Sequence, residues 1–157
     1  GVLVIGIKDN QPVTINNLIQ ITLNVKDLAA VENLSSGYVS IPAYTGSDFT
    51  YKSSGSGNLK ISAFDGKTLA VELTGSGYGD IRGVADTLTA NITGSGELQA
   101  AQLEVVSADV TNTGSANAVV NATGSLNATL SGSGNVTYVG TPEVTQKVTG
   151  SGTVSVQ

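Results

Sequence analysis

Apolar and polar residues alternate along most of this chain with a period of two, and the alternation is punctuated by a recurring triplet, Gly-Ser-Gly. The triplet stands at Gly55-Ser56-Gly57, Gly75-Ser76-Gly77, Gly94-Ser95-Gly96, Gly132-Ser133-Gly134 and Gly150-Ser151-Gly152. Gly114-Ser115-Ala116 fills the one gap, and successive copies start 20, 19, 20, 18 and 18 residues apart. Six residues before the first glycine stand Phe49, Leu69, Leu88, Ala108, Leu126 and Val144; four after it stand Leu59, Gly79, Leu98, Ala118, Val136 and Val154. The even offsets are mostly apolar, and the odd ones are mostly Thr, Ser, Asn, Lys, Glu and Asp. A period of two sends successive side chains to opposite faces of a strand and does not fit a helix. Each repeat therefore predicts a strand, a glycine corner and a second strand. Both glycines share the inward parity, where a side chain would collide with the bend.

A repeat near nineteen residues is too short for a hairpin plus a helical return. It fits one turn of a coil in which each strand lies parallel to the one a repeat later, about 4.8 Å away. One turn cannot bury its own inward face, whereas stacked turns close a continuous core. The expected fold is all-β: a parallel β-helix, or single-stranded solenoid, of about six to seven rungs of 18–20 residues. An antiparallel sandwich or barrel of short strands ranks second, because its register does not demand the same residue at the same phase in every repeat.

Residues 1–157 read as one β-helix domain, with 1–28 forming irregular N-terminal strands or a cap and 29–157 forming the repeats. Val2 to Ile7 reads as a strand, Asp9-Asn10-Gln11-Pro12 as a turn, and Val13, Ile15, Ile21, Leu23 and Val25 as strand alternation around Asn16-Asn17. Ala29 to Ile41 is a worn copy of the repeat, with Ser35-Ser36-Gly37 in place of the triplet. The returns Phe64 to Lys67, Gly83 to Asp86, Asn121 to Gly124 and Gly140 to Glu143 read as turns, and Ala101 to Ser107 as an extra strand segment with its own phase. The last strand, Thr153 to Gln157, leaves an open rung, so self-association through that end is expected.

Composition narrows the function classes. Charged residues are 12%, aromatic residues 4%, and the net charge is −5. The seven Lys and Arg are scattered, so no basic patch predicts nucleic acid as a partner. No apolar run approaches the roughly 20 residues of a membrane helix, so no transmembrane segment is expected here. Any targeting signal is expected to lie outside this sequence.

The chain has neither His nor Cys. A hydrolase would then need Ser with Lys, or paired carboxylates. The triplet serines form a repeated corner without matched bases, Glu72 and Glu97 read as solvated surface carboxylates, and no cluster of Asp, Lys and Arg on one face is expected. No catalytic, cofactor-binding or metal-ligating residue is assigned, and no cofactor is expected. The triplets differ from calcium β-roll repeats, whose period is about nine with a recurring Asp. A phosphate loop would need a Lys and a following helix. One outward feature stands out, the column Ser54, Thr74, Thr93, Thr113, Ser131 and Thr149, a hydroxyl ladder that could meet ice or a glycan. Strand propensity of Thr and the fit of Ser to glycine corners explain it better, and Lys52, Glu72 and Lys147 interrupt the neighbouring column, which counts against a flat ice face.

The phrases Ser131-Gly132-Ser133-Gly134-Asn135-Val136-Thr137-Tyr138-Val139-Gly140-Thr141-Pro142 and Val148-Thr149-Gly150-Ser151-Gly152-Thr153-Val154, with the opening Leu23-Asn24-Val25-Lys26-Asp27-Leu28, carry a family resemblance. From roughly residue 20 to the end the chain resembles the head GIN domain family of proposed bacterial autotransporter adhesins. That resemblance implies a right-handed parallel β-helix in an exported protein of the periplasm or cell surface. The family often has Asp just after the triplet. Asn58, Tyr78, Glu97, Asn117, Asn135 and Thr153 stand there instead, which argues against an acidic ligand column. The expected function is a non-enzymatic structural or adhesion module whose partner is a surface glycan or a protein. The alternative is a glycan- or ice-binding module that uses the Thr/Ser ladder.

Overall fold

The computed structural model describes residues 1–6 and 18–157, and among these every regular element is a strand. The strands are β1 (Ala30–Asn33), β2 (Tyr38–Ile41), β3 (Tyr44–Thr45), β4 (Asp48–Gly55), β5 (Asn58–Gly75), β6 (Tyr78–Gly94), β7 (Glu97–Gly114), β8 (Asn117–Gly132), β9 (Asn135–Val139), β10 (Glu143–Gly150) and β11 (Val154–Val156). All pairings are parallel, and each joins a residue to one about a repeat later: Phe49 to Leu69, Leu69 to Leu88, Leu88 to Ala108, Ala108 to Leu126 and Leu126 to Val144. The result is a β-solenoid of about seven turns.

The even-offset columns are its core. Phe49, Leu69, Leu88, Ala108 and Leu126 are fully buried, as are Leu59, Leu98, Ala118 and Val136 on the far side of the corner. The core narrows along the axis. Early turns bury Phe49, Tyr51, Phe64, Leu69 and Leu73, while later ones bury Ala108, Ala116, Ala118, Ala122 and Ala128. The pairing offset falls from 20 residues between β4 and β5 to 18 between β8 and β10. A shorter turn encloses a smaller cross-section, and close packing then requires smaller side chains.

The two triplet glycines have different causes. The second, as at Gly77 or Gly96, is buried and inward. The first is only half-buried or exposed, and it is the residue that makes the bend: φ lies between 117° and 133° at Gly55, Gly75, Gly94, Gly114, Gly132 and Gly150. L-residues rarely adopt that conformation. It also aims the glycine carbonyl along the axis, where it accepts the serine amide of the next turn, as in Ser95 N–H to Gly75 O at 2.8 Å and Ser115 N–H to Gly94 O at 2.8 Å. The same oxygen sits less than 3 Å from where a Cβ would stand on the next glycine. One contact thus satisfies the bend's backbone and excludes a side chain.

Two sequence readings need correction. Phe64–Lys67, Gly83–Asp86 and Asn121–Gly124 are not turns but continuous strand, bent by register shifts; only Gly140–Pro142 interrupts a strand. These returns, with Ala101–Ser107 alongside, carry two further inward columns, Phe64 and Leu103 in one and Ala85, Val105 and Ala122 in the other, so the chain bends by bulging while it stays extended. At the N-terminus, residues 1–6 and 18–25 form no strand, and Ile19 and Leu23 are 63% and 51% exposed. Alternation alone does not make a strand when no partner edge lies alongside. The turn at Asp9–Pro12, the strand residues Ile7, Val13 and Ile15, and Asn16-Asn17 lie outside the described residues.

Three inward positions two residues before the bend are polar. Asn33 Nδ2 donates to Gly37 O at 2.7 Å, Ser53 Oγ to Gly57 O at 3.5 Å and Asn112 Nδ2 to Ala116 O at 2.7 Å. Each spans the corner. Asn112 is fully buried, and its Oδ1 has no partner among the described residues. Ala116 O already accepts the Asn135 amide at 3.0 Å. Other turns place Leu73, Ile92 or Leu130 at this position, opposite a second glycine where this turn has Ala116. Asn112→Leu combined with Ala116→Gly restores the commoner pairing. It removes a stranded oxygen and is expected to raise unfolding stability by about 1–2 kcal/mol. Urea denaturation checks it; a loss would show that the corner bond outweighs the unpaired oxygen.

Candidate functional site

Parallel stacking converts odd offsets into exposed columns. Before the bend, Ser54, Thr74, Thr93, Thr113, Ser131 and Thr149 stand in register and are all exposed, so the hydroxyl ladder exists. Its neighbouring column runs Lys52, Glu72, Asn91, Thr111, Thr129 and Lys147. Lys52 Nζ meets Glu72 Oε2 at 2.9 Å with both side chains about half exposed, an arrangement that contributes little stability and breaks the flatness of that face.

After the bend the columns are richer. The first outward column runs Tyr38, Asn58, Tyr78, Glu97, Asn117 and Asn135. Toward the C-terminus it is closed by its own amides: Asn135 Nδ2 donates to Asn117 Oδ1 at 3.2 Å, and Thr153 Oγ1 to Asn135 Oδ1 at 2.8 Å. The next column aligns Lys60, Asp80 and Gln99.

Here β6 and β7 fall out of step. Asp80 pairs with Gln99 but Arg82 with Gln102, so β7 has one more residue than β6 across this interval. The bulge at Ala100–Ala101 opens a shallow groove of about 230 Å3 lined by Tyr78, Asp80, Arg82, Gln99, Ala101 and Gln102. Arg82 Nε donates to Asp80 Oδ1 at 3.3 Å and Nη2 to Oδ2 at 3.2 Å, a fork that holds both charges on the groove floor. Gln99 Nε2 donates to Glu97 Oε1 at 2.8 Å. Tyr78 is 38% exposed. Partial burial, then the Asp80 and Glu97 carboxylates, push its phenol above the ordinary value, with Arg82 pulling the other way. A second groove, about 300 Å3, lies beside β3 and is lined by Asp27, Leu28, Ala29, Tyr44, Gly46 and Asp48 among others. One of its walls, residues 27–29, lies outside any strand.

At β6 the register sets Lys60 beside Asp80, which pairs with Arg82. Asp80 and Arg82 are two residues apart, whereas Lys60 and Glu97 are distant in sequence and fall beside them only when the 20- and 19-residue offsets are applied column by column. That arithmetic was available in the triplet spacing. The bulge that opens the groove was signalled only by the odd phase of Ala101–Ser107, within which Leu103 and Val105 turn inward and Val106 out. Among the described residues, no three acidic groups come together as a cation site would need.

Stacked parallel turns, glycine corners and outward polar columns define a β-solenoid repeat protein. Within that class, the chain belongs to the family described as "Putative auto-transporter adhesin, head GIN domain", whose model matches residues 1–142. Among solved structures it is similar to a "putative adhesin" from Bacteroides fragilis, with 25% identity, a TM-score of 0.78, and coverage of 83% of this chain and 61% of that one. A "putative adhesin" from Parabacteroides merdae shows 27% identity and a TM-score of 0.66, over 82% of this chain and 57% of that one. A "putative lipid binding protein" from Parabacteroides distasonis shares the fold at 24% identity and a TM-score of 0.70, over 83% of this chain and 62% of that one. The chain thus spans about three fifths of the length of these solved chains. No curated protein matches it. Among the described residues, no helix is long and apolar enough to cross a membrane.

Proposed function

We propose that the chain is a non-enzymatic adhesion module of an exported bacterial protein, held in the periplasm or at the cell surface. Membership of the adhesin family carries this reading. The architecture supports it: a rigid stack of turns displays long exposed columns of polar side chains at fixed spacing, a surface suited to repeated weak contacts. In the β6–β7 groove the Asp80 carboxylate is engaged through both oxygens by Arg82. The purified chain is expected to bind saturably to at least one of mucin, collagen or fibronectin on a coated surface, or to associate with itself. Silence on every surface, with a strict monomer by light scattering, overturns the proposal.

A second reading rests on the in-register hydroxyl ladder, which would order water or contact a ligand directly. Thermal hysteresis present in the wild type and lost in Thr93→Lys is its signature, and an absence of hysteresis removes it.

A further inference from the structure

We infer that the groove between β6 and β7 is a binding site for a neutral saccharide, with Tyr78 as its stacking platform. This rests on the adhesion reading and gives it a ligand class and an address.

The bulge supplies the shape. Flat parallel ladders offer no concavity, and one extra residue in β7, at Ala100–Ala101, breaks the ladder between the Asp80–Gln99 and Arg82–Gln102 pairs and leaves a trough. Its side chains form a small grid. Along β6, Tyr78, Asp80 and Arg82 are every second residue, so they span roughly 13 Å, and the facing residues of β7 lie about 5 Å away. That footprint suits a short run of sugar rings lying along the strands.

The chemistry selects the occupant. The C–H face of a pyranose carries slight positive charge and packs on the negative face of an aromatic ring. Tyr78 stands at one end of the groove with its ring partly exposed. Vicinal hydroxyls are both donors and acceptors, and they match planar groups that present two polar atoms side by side. Asp80, Arg82, Gln99 and Gln102 are four such groups in one trough. Arg82 spends only Nε and one Nη2 bond on Asp80, and Gln102 makes no side-chain hydrogen bond among the described residues. Asp80 and Arg82 are already fixed by each other, so little ordering of that pair is lost on binding.

The same residues argue against other ligands. Lys60 and Arg82 are offset by Asp80 and Glu97, and the whole chain carries −5. The groove therefore offers no net positive charge to hold an anionic glycan or a phosphate. An acyl chain or apolar peptide would bury the Asp80–Arg82 pair and strand its charges.

Titration of the labelled chain with maltotriose, mannotriose and chitotriose, followed by amide NMR, tests the assignment, with a heparin hexasaccharide as the anionic arm. At least one neutral trisaccharide is expected to shift the Tyr78, Asp80, Gln99 and Gln102 amides. Tyr78→Ala should weaken binding by about tenfold. Gln102→Ala should weaken it less, and Thr93→Lys on the hydroxyl ladder should leave it unchanged. All three positions are exposed, and unchanged spectra away from the substitution establish that each variant folds. No response to any neutral trisaccharide, shifts confined to another face, a response to heparin alone, or full affinity in Tyr78→Ala each overturn the inference. Protein-surface binding that survives Tyr78→Ala, with no trisaccharide response, sinks the saccharide site and leaves the adhesion reading standing. Loss of all surface binding and self-association in the wild type sinks that reading itself.

Discussion

Gly94→Ala is expected to destabilise the solenoid by about 3 kcal/mol or more, because two independent costs fall on one methyl group. Gly94 has φ of 117°, a conformation an L-residue holds only under strain, and such strain costs roughly 1–3 kcal/mol by itself. The added Cβ would also stand less than 3 Å from Gly75 O, a backbone atom fixed because it accepts the Ser95 amide at 2.8 Å. Relief requires moving the turn below and breaking that bond. A drop of this size lowers the melting temperature of a chain this long by roughly 6–12 °C. Gly79→Ala is the matched control. Gly79 is more deeply buried than Gly94, but its Cβ would meet only the Leu98 Cδ1 methyl, at 3.1 Å, and its backbone is ordinary. A side-chain tip can turn aside, so the expected change is within about 1 kcal/mol. Thermal unfolding of both variants decides it. Equal losses would show that the corner glycines are present for inward volume alone and not for the bend.

That contrast marks how far the sequence was legible. The columns were readable because register in a parallel stack is fixed by the repeat length: once Gly55, Gly75 and Gly94 are aligned, Leu69 must lie over Phe49 and Leu88 over Leu69. Burial parity followed directly. What parity could not separate were the two glycines, since both occupy even offsets while only the first carries the bend. Nor could local residue chemistry identify the returns. Asp65-Gly66 looks like a turn, yet the neighbouring turns supply ladder partners, Thr45 and Val84 for Asp65, that keep it extended. At Ile19 to Val25 the failure runs the other way: the pattern is strand-like, and among the described residues no strand pairs with it. The groove was hardest to see, because it exists only where two neighbouring turns differ in length, a property of the pair β6–β7 and of neither repeat alone.

The wide end of the core should be sensitive to both truncation and alkali. Phe64 is fully buried between two other rings: it stacks on Tyr44 with centroids 4.9 Å apart and planes 6° apart, and tilts against Phe49 at 6.5 Å. The 20-residue turns here enclose a cross-section that only large side chains fill, and the ladder above and below keeps the walls from collapsing inward. Phe64→Ala is therefore expected to cost about 3–5 kcal/mol, which equilibrium urea unfolding would measure; a loss near that of a surface substitution would mean that the wall closes over the void. The stacked partner adds a pH dependence. Burial, and then the nearby Asp48 charge, push the Tyr44 phenol above its ordinary value, while its hydroxyl donates to Asp48 O at 2.8 Å. The folded state then holds this proton more tightly than the unfolded chain. Its contribution is fully present below about pH 10, the unfolded value, and is lost as pH rises through the folded value. Tyr78 shifts in the same direction, so Tyr44→Phe isolates the buried group. At neutral pH that variant should be less stable by about 1 kcal/mol for the lost hydrogen bond. Above pH 10 the difference should shrink, because the wild type alone must ionise a phenol packed against Phe64. Parallel stability curves for wild type and Tyr44→Phe from pH 7 to 11 would place the alkaline sensitivity elsewhere.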